Sequence, residues 1–481
     1  MRAHEAGALH AEGYGAPGWL QPPGDVNALV PALWARTVHR GDASGRVEVG
    51  GVAVDTIAAE FGTPAYVVDE LDFRARAAEF RQAFDDAFAD LCGGADVYYA
   101  GKAFLCTEVA RWVTQEGLGL DTCTGGELAV ALAAGVPPSR IGLHGNNKSD
   151  LEITRAVEAG IGRIVVDSVE EVDRVADIAA ARGVRAPVLL RITVGVEAHT
   201  HSYIATAHED QKFGLSLGDG DAALAVERAL GRPELDLRGL HSHIGSQIFD
   251  VQGFEVAARR LLGLHADVRT RYGVVLPELD IGGGFGMAYT TQHDPLPPRD
   301  LAEGMAHIIA KECADLGVDV PRVSAEPGRA IAGPTTFTLY TVGTVKDVRL
   351  DGGGARRYVA VDGGMSDNIR TALYDADYSA TLAGRRSAAP PVVSRVVGKH
   401  CESGDVVVKD EFLPADVAPG DLLAVPGTGA YCRSMASQYN HVPRPPVLAV
   451  RDGRVRVLLR RETEDDLLAL DTGWERPKAE R

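Results

Sequence analysis

The sequence is poor in basic residues and in long apolar runs. It contains 49 lysines and arginines against 67 aspartates and glutamates, so the 481-residue chain carries a formal net charge of −18. This balance argues against nucleic acid as the main partner, because phosphate binding depends on a basic surface. No apolar run approaches the length of a membrane-spanning helix, so we expect no membrane partner either.

The six cysteines are scattered, and none belongs to a Cys-x-x-Cys pair. A disulfide framework or a zinc ribbon is therefore not expected. Residues 1–24 lack the apolar core of a signal peptide, and we predict a cytoplasmic protein in a reducing compartment. Residues 1–25 are rich in Gly, Ala, Pro and His without periodicity, which predicts a flexible N-terminal arm.

The middle of the chain alternates apolar runs with alanine-rich stretches of helical spacing. Eight strand-like runs centre near Tyr98, Leu118, Ile141, Ile164, Leu189, Leu240, Leu279 and Val323. Strands that alternate with helices indicate parallel βαβ units. Eight such units in about 250 residues match a (β/α)₈ barrel, with a doubly wound open sheet as the alternative.

The pattern changes after Pro334, where strand-like runs and turns replace helical periodicity. An alternating segment around Gly50 and Gly51 suggests a hairpin that returns to this region. The sequence thus predicts an α/β protein with a parallel barrel at residues 67–336. A second, mainly antiparallel β domain is predicted from residues 26–66 and 337–481.

Polar residues follow the predicted barrel strands at their carboxyl ends, where parallel barrels place their active sites. These stretches begin at Lys102, Asp121, His144, His241, Asp280 and Glu326. Because polar residues recur at the same end of six predicted strands, the sequence favours an enzyme. Lys102 is either an ordinary surface or ion-paired lysine, or an amine in a dry pocket that acts as a Schiff-base nucleophile.

A glycine run at residues 282–286 allows backbone N–H groups to approach an anion closely. Ser246 and Arg329 are predicted at neighbouring strand ends, which favours a phosphate pocket over a simple tight turn. A dinucleotide fingerprint is not indicated, because the run follows a late strand.

Two histidines, His241 and His243, are expected on one face of a strand. Such a pair suggests a metal site of a barrel hydrolase, with Asp280, Glu326 or a modified Lys102 as further ligands, or a stacking platform for an aromatic cofactor. The plainer alternative is that one histidine fills the core and the other lines a pocket wall. We predict the platform and no metal. Glu326, if placed opposite a pyridine ring, would keep the ring nitrogen protonated.

Three polar stretches, residues 362–370, 398–405 and 427–431, belong to the predicted β domain. Polar loops of this kind are usually plain surface. The second stretch is less usual, because Cys401 stands beside Glu402 between glycine turns, and a cysteine can donate a proton.

Together these motifs resemble the diaminopimelate decarboxylase family, a group of fold-type III pyridoxal-phosphate enzymes. The resemblance runs from about residue 45 to 440 and is carried by YYAGKAF (98–104), LHGNNKS (143–149), HSHIGSQ (241–247), GGGFG (282–286), EPGRAIAGP (326–334), GKHCESGD (398–405) and GTGAY (427–431). It implies a barrel with a β domain and a homodimer whose active sites are shared between subunits.

The resemblance also implies a role for individual residues. Lys102 would bind pyridoxal 5′-phosphate covalently, and Cys401 would be the proton donor. The remaining cofactor contacts would be His243, Ser246, Gly284, Glu326, Gly328, Arg329 and Tyr431. The substrate contacts would be Arg329, Arg370, Tyr374, Glu402 and Tyr431.

The implied reaction is decarboxylation of meso-2,6-diaminopimelate to L-lysine and CO₂, the last step of lysine biosynthesis. Three alternatives stay open at this point. One is a decarboxylase of arginine, ornithine or a carboxylated polyamine on the same scaffold. Another is an alanine racemase, which would pair the ring nitrogen with an arginine in place of Glu326. The third is a catalytically silent regulator, which would lack Lys102.

Overall fold

The computed structural model describes residues 16–41, 44–195, 212–349 and 355–474. The chain divides into two compact units. The first, called here the β unit, comprises residues 1–73, 288–293 and 333–481; the second, the barrel unit, comprises residues 74–287 and 294–332. Most of the predicted N-terminal arm lies outside the described residues, so the arm stays a prediction.

Strands and helices are numbered in chain order. The strands are β1 (His39–Arg40), β2 (Val47–Val49), β3 (Val52–Ala53), β4 (Ala65–Asp69), β5 (Ala95–Ala100), β6 (Gly119–Thr122), β7 (Ile141–Leu143), β8 (Arg163–Val166), β9 (Ala186–Thr193), β10 (Leu215–Ser216), β11 (Leu235–His241), β12 (Glu278–Asp280), β13 (Arg322–Ala325), β14 (Thr336–Arg349), β15 (Ala355–Val361), β16 (Thr381–Leu382), β17 (Pro391–Val397), β18 (Val406–Pro414), β19 (Leu422–Pro426), β20 (Val447–Arg451) and β21 (Arg454–Leu459). The α-helices are α1 (Val54–Phe61), α2 (Glu70–Cys92), α3 (Thr107–Gln115), α4 (Gly125–Ala134), α5 (Asp150–Ala159), α6 (Val169–Arg182), α7 (Asp221–Leu230), α8 (Gln252–Tyr272), α9 (Pro298–Leu316), α10 (Arg329–Ala332), α11 (Arg370–Tyr374) and α12 (Glu464–Leu468). Short 3₁₀ helices cover Pro31–Leu33, Pro138–Arg140, Arg433–Met435 and Tyr439–His441.

The barrel unit contains a closed ring of eight parallel strands. Their order is β5-β6-β7-β8-β9-β11-β12-β13, and β13 pairs with β5 to close the ring. All eight predicted strands are thereby confirmed, and closure excludes the open sheet. The carboxyl ends of these strands meet at one end of the ring, which is where a barrel presents its functional side chains.

Local signals fix where the barrel helices begin and end. Thr124 caps α4 by accepting a hydrogen bond from the Glu127 N–H, and Ser149 forms a capping box with Glu152 at the start of α5. Left-handed glycines, such as Gly160 after α5, terminate the helices without steric cost. These stops determine where each following strand starts and therefore which residues reach its carboxyl end.

The β unit is built around the long strand β14, which pairs antiparallel with β4, β15 and β19. Only β15–β17 and β4–β20 are parallel among its strand pairs in the described part of the chain. The prediction of a mainly antiparallel β domain is therefore confirmed. The β2–β3 hairpin belongs here too, because Val47 and Val49 are buried in one apolar cluster with Phe337 and Leu339.

Within the part of the chain that the structure describes, no helix combines the length and the apolar character that a bilayer requires.

Candidate active site

Three predicted cofactor contacts lie just beyond the carboxyl ends of barrel strands. Lys102 follows β5, His243 follows β11, and Glu326 comes directly after β13. The Glu326 N–H donates to the Gly282 carbonyl oxygen over 2.9 Å, which ties the end of β13 to the glycine run. The positive charge of Lys102 reaches both other groups, since it opposes the rise of the Glu326 pKa and helps to lower that of His243.

The side chain of Lys102 is exposed. The role of Lys102 as a Schiff-base nucleophile stays a prediction.

The glycine run packs tightly against neighbouring strand ends. A Cβ added at Gly283 would clash with the Glu326 carbonyl oxygen, and one at Gly284, whose φ is +105°, would lie 2.5 Å from the Gly245 carbonyl oxygen. Only glycine permits this approach. The run thus holds together the loops that carry His243 and Glu326.

His243 is fixed as a neutral ring. Its Nδ1 accepts a hydrogen bond from the Gly283 N–H over 3.2 Å, and burial together with the charge of Lys102 holds its pKa well below the usual value. A neutral, flat and held imidazole has the properties of a stacking platform.

Glu326 lies in a compact buried cluster. Its Oε1 is 3.1 Å from His241 Nε2 and 3.4 Å from His144 Nε2, and His144 Nε2 is also 3.3 Å from Asp121 Oδ1. Burial lowers the pKa of both histidines to about 3, so both are neutral, and burial raises the pKa of Glu326. Glu326 Oε1 makes no well-aligned hydrogen bond to any described residue.

The cluster changes the interpretation of the His-x-His pair. Strand β11 ends at His241, so strand alternation does not extend to His243, and the expectation that both lie on one strand face is wrong. His144, His241 and Glu326 do place one potential ligand atom each within 4.8 Å of one another, a spacing that a cation could use. His243 is not one of these three.

A second group of buried charged and polar side chains lies within the barrel unit. Arg163 Nη2 is 2.9 Å from Asp280 Oδ2, and Arg163 Nη1 donates to Ser324 Oγ over 2.9 Å. Ser324 Oγ in turn donates to Asp280, and the guanidinium stacks on Tyr98 with 3.6 Å from its carbon to the ring centroid. Arg163 supplies a permanent positive charge beside the buried carboxylates.

The predicted phosphate contacts Ser246 and Arg329 meet directly. Arg329 Nη2 donates to Ser246 Oγ over 2.8 Å, and Arg329 itself is buried. Gly328 comes close to Ala100 at the end of β5, where an added Cβ would lie 2.9 Å from the Ala100 Cβ. The EPGR and HIGSQ motifs therefore form one contiguous group with the lysine strand.

In the β unit, Arg370 is buried among tyrosines. Its Cζ lies 5.3 Å from the ring centroid of Tyr289, 5.6 Å from that of Tyr374 and 5.7 Å from that of Tyr431. Its Nε donates to the Tyr378 hydroxyl over 2.9 Å. Three residues predicted as substrate contacts, Arg370, Tyr374 and Tyr431, are thus neighbours in the fold.

Cys401 and Glu402 project from a loop held by buried neighbours. Asp405 is buried and accepts from the His400 N–H over 2.7 Å, while His400 Nε2 lies 2.8 Å from Ser366 Oγ. Cys401 and Glu402 themselves are exposed. The fixed ends and exposed tip present a thiol and a carboxylate side by side.

Comparison with known proteins agrees with these features. A family model described as "Pyridoxal-dependent decarboxylase, pyridoxal binding domain" matches residues 72–333. The diaminopimelate decarboxylase of Mycobacterium tuberculosis is 55% identical over 447 residues, which cover 92% of this chain and 98% of that protein. The chain belongs to the diaminopimelate decarboxylase family.

Two further relatives extend the match. The diaminopimelate decarboxylase of Mycobacterium leprae is 52% identical over 478 residues, covering 98% of this chain and all of that protein. The crystal structure of diaminopimelate decarboxylase from M. jannaschii, solved with L-lysine, superposes with a TM-score of 0.84 at 31% identity, covering 91% of this chain and 98% of that one. Family membership thus rests on both sequence and fold.

Several side chains that the structure places beside the predicted site residues were not predicted from the sequence. Arg163 opens an apolar strand, a position that suggests a solvent-exposed end. Tyr289 and Tyr378 stand in stretches without a recognisable motif, and only folding brings them to Arg370. For His144 the sequence signal was its position at the end of a predicted strand. Its contact with Glu326 is seen only in the structure.

Proposed function

We infer that this chain is a carboxy-lyase that converts meso-2,6-diaminopimelate to L-lysine and CO₂ in lysine biosynthesis. The observation that carries this conclusion is its identity of 55% with a diaminopimelate decarboxylase over nearly the whole of both chains. The arrangement of buried groups at the barrel strand ends supports the same chemistry.

We propose pyridoxal 5′-phosphate as the cofactor, and the residues present fit it. Glu326 Oε1 is buried without a well-aligned hydrogen bond from the described residues, so it has the capacity to accept one from a protonated ring nitrogen. The neutral ring of His243 suits stacking, and Ser246, Gly284, Gly328, Arg329 and Tyr431 are proposed for the phosphate region. Lys102, which is exposed, is proposed as the covalent attachment point.

When bound, the cofactor accepts the electron pair released as the substrate carboxylate leaves as CO₂. In this proposal Glu326 would keep the ring nitrogen protonated, His243 would stack on the ring, and Lys102 would hold the cofactor between turnovers. The carbon that has lost CO₂ then needs one proton. We propose that the Cys401 thiol donates it and recovers a proton from solvent.

We propose that substrate recognition depends on the end of the molecule that does not react. That end of meso-diaminopimelate carries a carboxylate and an ammonium group. Arg329 and Arg370 suit the carboxylate, and Glu402 suits the ammonium, with Tyr374 and Tyr431 as further contacts. A substrate without the distal carboxylate would leave the arginines unpaired, which strongly disfavours its binding.

The direct test is CO₂ release from meso-diaminopimelate, lysine, ornithine and arginine, each supplied separately to the purified protein with pyridoxal phosphate. We expect CO₂ from meso-diaminopimelate alone, with one L-lysine formed per CO₂. Faster release from ornithine or arginine would instead support the alternative decarboxylases. No release from any of them would support a silent regulator, although Lys102 argues against it.

We further propose a homodimer in which Lys102 of one subunit acts with Cys401 of the other. The test mixes Lys102→Ala and Cys401→Ala homodimers, each of which should be nearly inactive, under conditions of subunit exchange. In the mixed dimers one site then has both residues intact, so about a quarter of wild-type activity should return by two-fold counting. Activity that stays at the level of the separate variants, despite proven exchange, would place both residues in one chain. A cytoplasmic location stays a prediction from the sequence.

A further inference from the structure

A closed circuit of contacts surrounds Arg370 in the β unit. Arg370 Nε donates to the Tyr378 hydroxyl over 2.9 Å, and that hydroxyl lies 3.6 Å from Cys432 Sγ. Cys432 Sγ donates to Asn368 Oδ1 over 3.5 Å, and the same oxygen accepts from the Arg370 backbone N–H over 3.3 Å. The guanidinium is thereby connected back to its own main chain.

The proton donors in this circuit run in one direction. An arginine Nε can only donate, so the Tyr378 oxygen accepts from it. Because Cys432 donates its single proton to Asn368 Oδ1, the Tyr378 O–H is the donor to Cys432 Sγ. Burial raises the pKa of Tyr378 well above its usual value, so the hydroxyl keeps its proton. Tyr378 therefore has both of its hydrogen-bonding roles defined by neighbours.

Ring packing restrains the same tyrosine. Tyr289 lies edge-on to Tyr378, with ring centroids 5.1 Å apart and planes at 76°, and Tyr289 also flanks the Arg370 guanidinium. Tyr378 and Arg370 are only 2% and 6% exposed, so neither has room for another rotamer without repacking.

The geometry has a consequence for how Arg370 meets an anion. With Nε committed to Tyr378, the two Nη groups are the donors that remain for a carboxylate, and they face it end-on as a fork. An arginine without this hydrogen bond can also turn and present its Nε–Nη2 edge to the carboxylate. Its binding geometry is then no longer fixed.

We propose that Tyr378 is a positioning residue that fixes the Arg370 fork and so gives the enzyme its preference for ligands with a distal carboxylate. This inference rests on the proposed role of Arg370 in substrate binding. Tyr378 itself need not touch the substrate, because it acts through the guanidinium orientation.

The experiment compares two competitive inhibitors of the holoenzyme. L-lysine carries the distal carboxylate, whereas 1,5-diaminopentane is the same molecule without it. In Tyr378→Phe we expect the inhibition constant of L-lysine to rise about tenfold, as for loss of one hydrogen bond to a charged group, while that of 1,5-diaminopentane changes by less than about twofold. The KM for meso-diaminopimelate should rise in parallel, with kcat nearly unchanged.

The matched control is Tyr66→Phe. Tyr66 is another buried tyrosine of the β unit, and its hydroxyl donates to the Asp367 carbonyl oxygen over 2.5 Å, whereas that of Tyr378 accepts from Arg370. This variant should leave the ratio of the two inhibition constants unchanged. Cys432→Ala is the second variant: it breaks the circuit one contact further from Arg370 and should shift the ratio in the same direction by a smaller factor.

Arg370→Ala separates this inference from the proposed role of Arg370. If Arg370→Ala selectively weakens the binding of L-lysine and Tyr378→Phe does not, the positioning inference is wrong and the role of Arg370 stands. If Arg370→Ala changes the inhibition constants of both compounds by the same factor, the proposed role of Arg370 is wrong. An equal loss of both inhibitors in a correctly folded Tyr378→Phe would also overturn the inference, because it would indicate a general structural defect. Should Tyr378→Phe fail to fold, Cys432→Ala takes its place: an unchanged ratio of the two inhibition constants in that variant would overturn the inference.

Discussion

The barrel unit and the β unit both bury charged groups, but they satisfy them differently. In the barrel unit, Glu326 lies against two neutral histidines at 3.1 and 3.4 Å without a well-aligned hydrogen bond to Oε1. In the β unit, Arg370 is hydrogen-bonded through Nε and enclosed by tyrosine rings.

The difference indicates which kind of ligand each group can bind. A buried carboxylate oxygen without a partner is costly, and binding of a cationic N–H group relieves that cost. A guanidinium that is already oriented loses little entropy when an anion binds. These two states suit the roles proposed above, in which Glu326 contacts the cofactor ring nitrogen and Arg370 contacts the distal carboxylate.

The largest expected effect comes from neutralising the barrel carboxylate. Glu326→Gln should lower kcat about a hundredfold, because the amide cannot keep a proton on the ring nitrogen. The absorbance spectrum of the bound cofactor should shift as well. A variant with kcat within a factor of two of the wild type would contradict the role given to Glu326.

A smaller effect is expected in the β unit. Arg370→Lys keeps the charge but loses the fork, so kcat/KM for meso-diaminopimelate should fall about tenfold, mostly through KM. The affinity for pyridoxal phosphate, measured by titration of the apoprotein, should stay near that of the wild type. An equal loss of cofactor affinity would contradict the substrate-binding role proposed for Arg370.

The smallest effect concerns the pH dependence of stability in the β unit. Burial raises the pKa of Asp367 from 3.8 to about 7, so the folded chain holds a proton that the unfolded chain releases. Wild-type stability should therefore fall as pH rises from 5 to 7, by at most about 1.4 kcal/mol per pH unit, and this contribution should level off above the folded pKa.

Asp367→Asn cannot ionise and should lack this loss. The melting temperature of the wild type minus that of the variant should therefore decrease between pH 5 and pH 7. The groups that act on this carboxyl include the Tyr340 hydroxyl and the Gly364 N–H, which bond to it, and the nearby charges of Asp405 and Asp362. A difference that is flat or that grows with pH would show that burial does not control this group.

The sequence predicted those parts of the molecule that follow from local patterns. The barrel strands were found because apolar runs alternate with helical stretches, and Lys102, His243 and Glu326 because they follow strand ends. Helix α2 likewise buries the face that its apolar spacing defines, since Phe84 and Phe88 are fully buried.

The sequence could not predict contacts that only folding creates. Arg163 and Asp280 come from different strands and meet inside the barrel. Tyr289 belongs to a short segment that the structure assigns to the β unit although it follows the barrel strand β12. The sequence also left open whether Lys102 is exposed, because strand position alone does not say which side chains cover it, and the structure shows it exposed.

The most direct test of the account is where pyridoxal phosphate attaches. Borohydride reduction of the holoenzyme followed by peptide mapping should find the cofactor fixed to the peptide that contains Lys102, and Lys102→Ala should show no label there and almost no CO₂ release. Lys311→Ala, which removes an exposed lysine of the barrel unit, should retain both label and activity. Label on another lysine, or full activity in Lys102→Ala, would contradict the account.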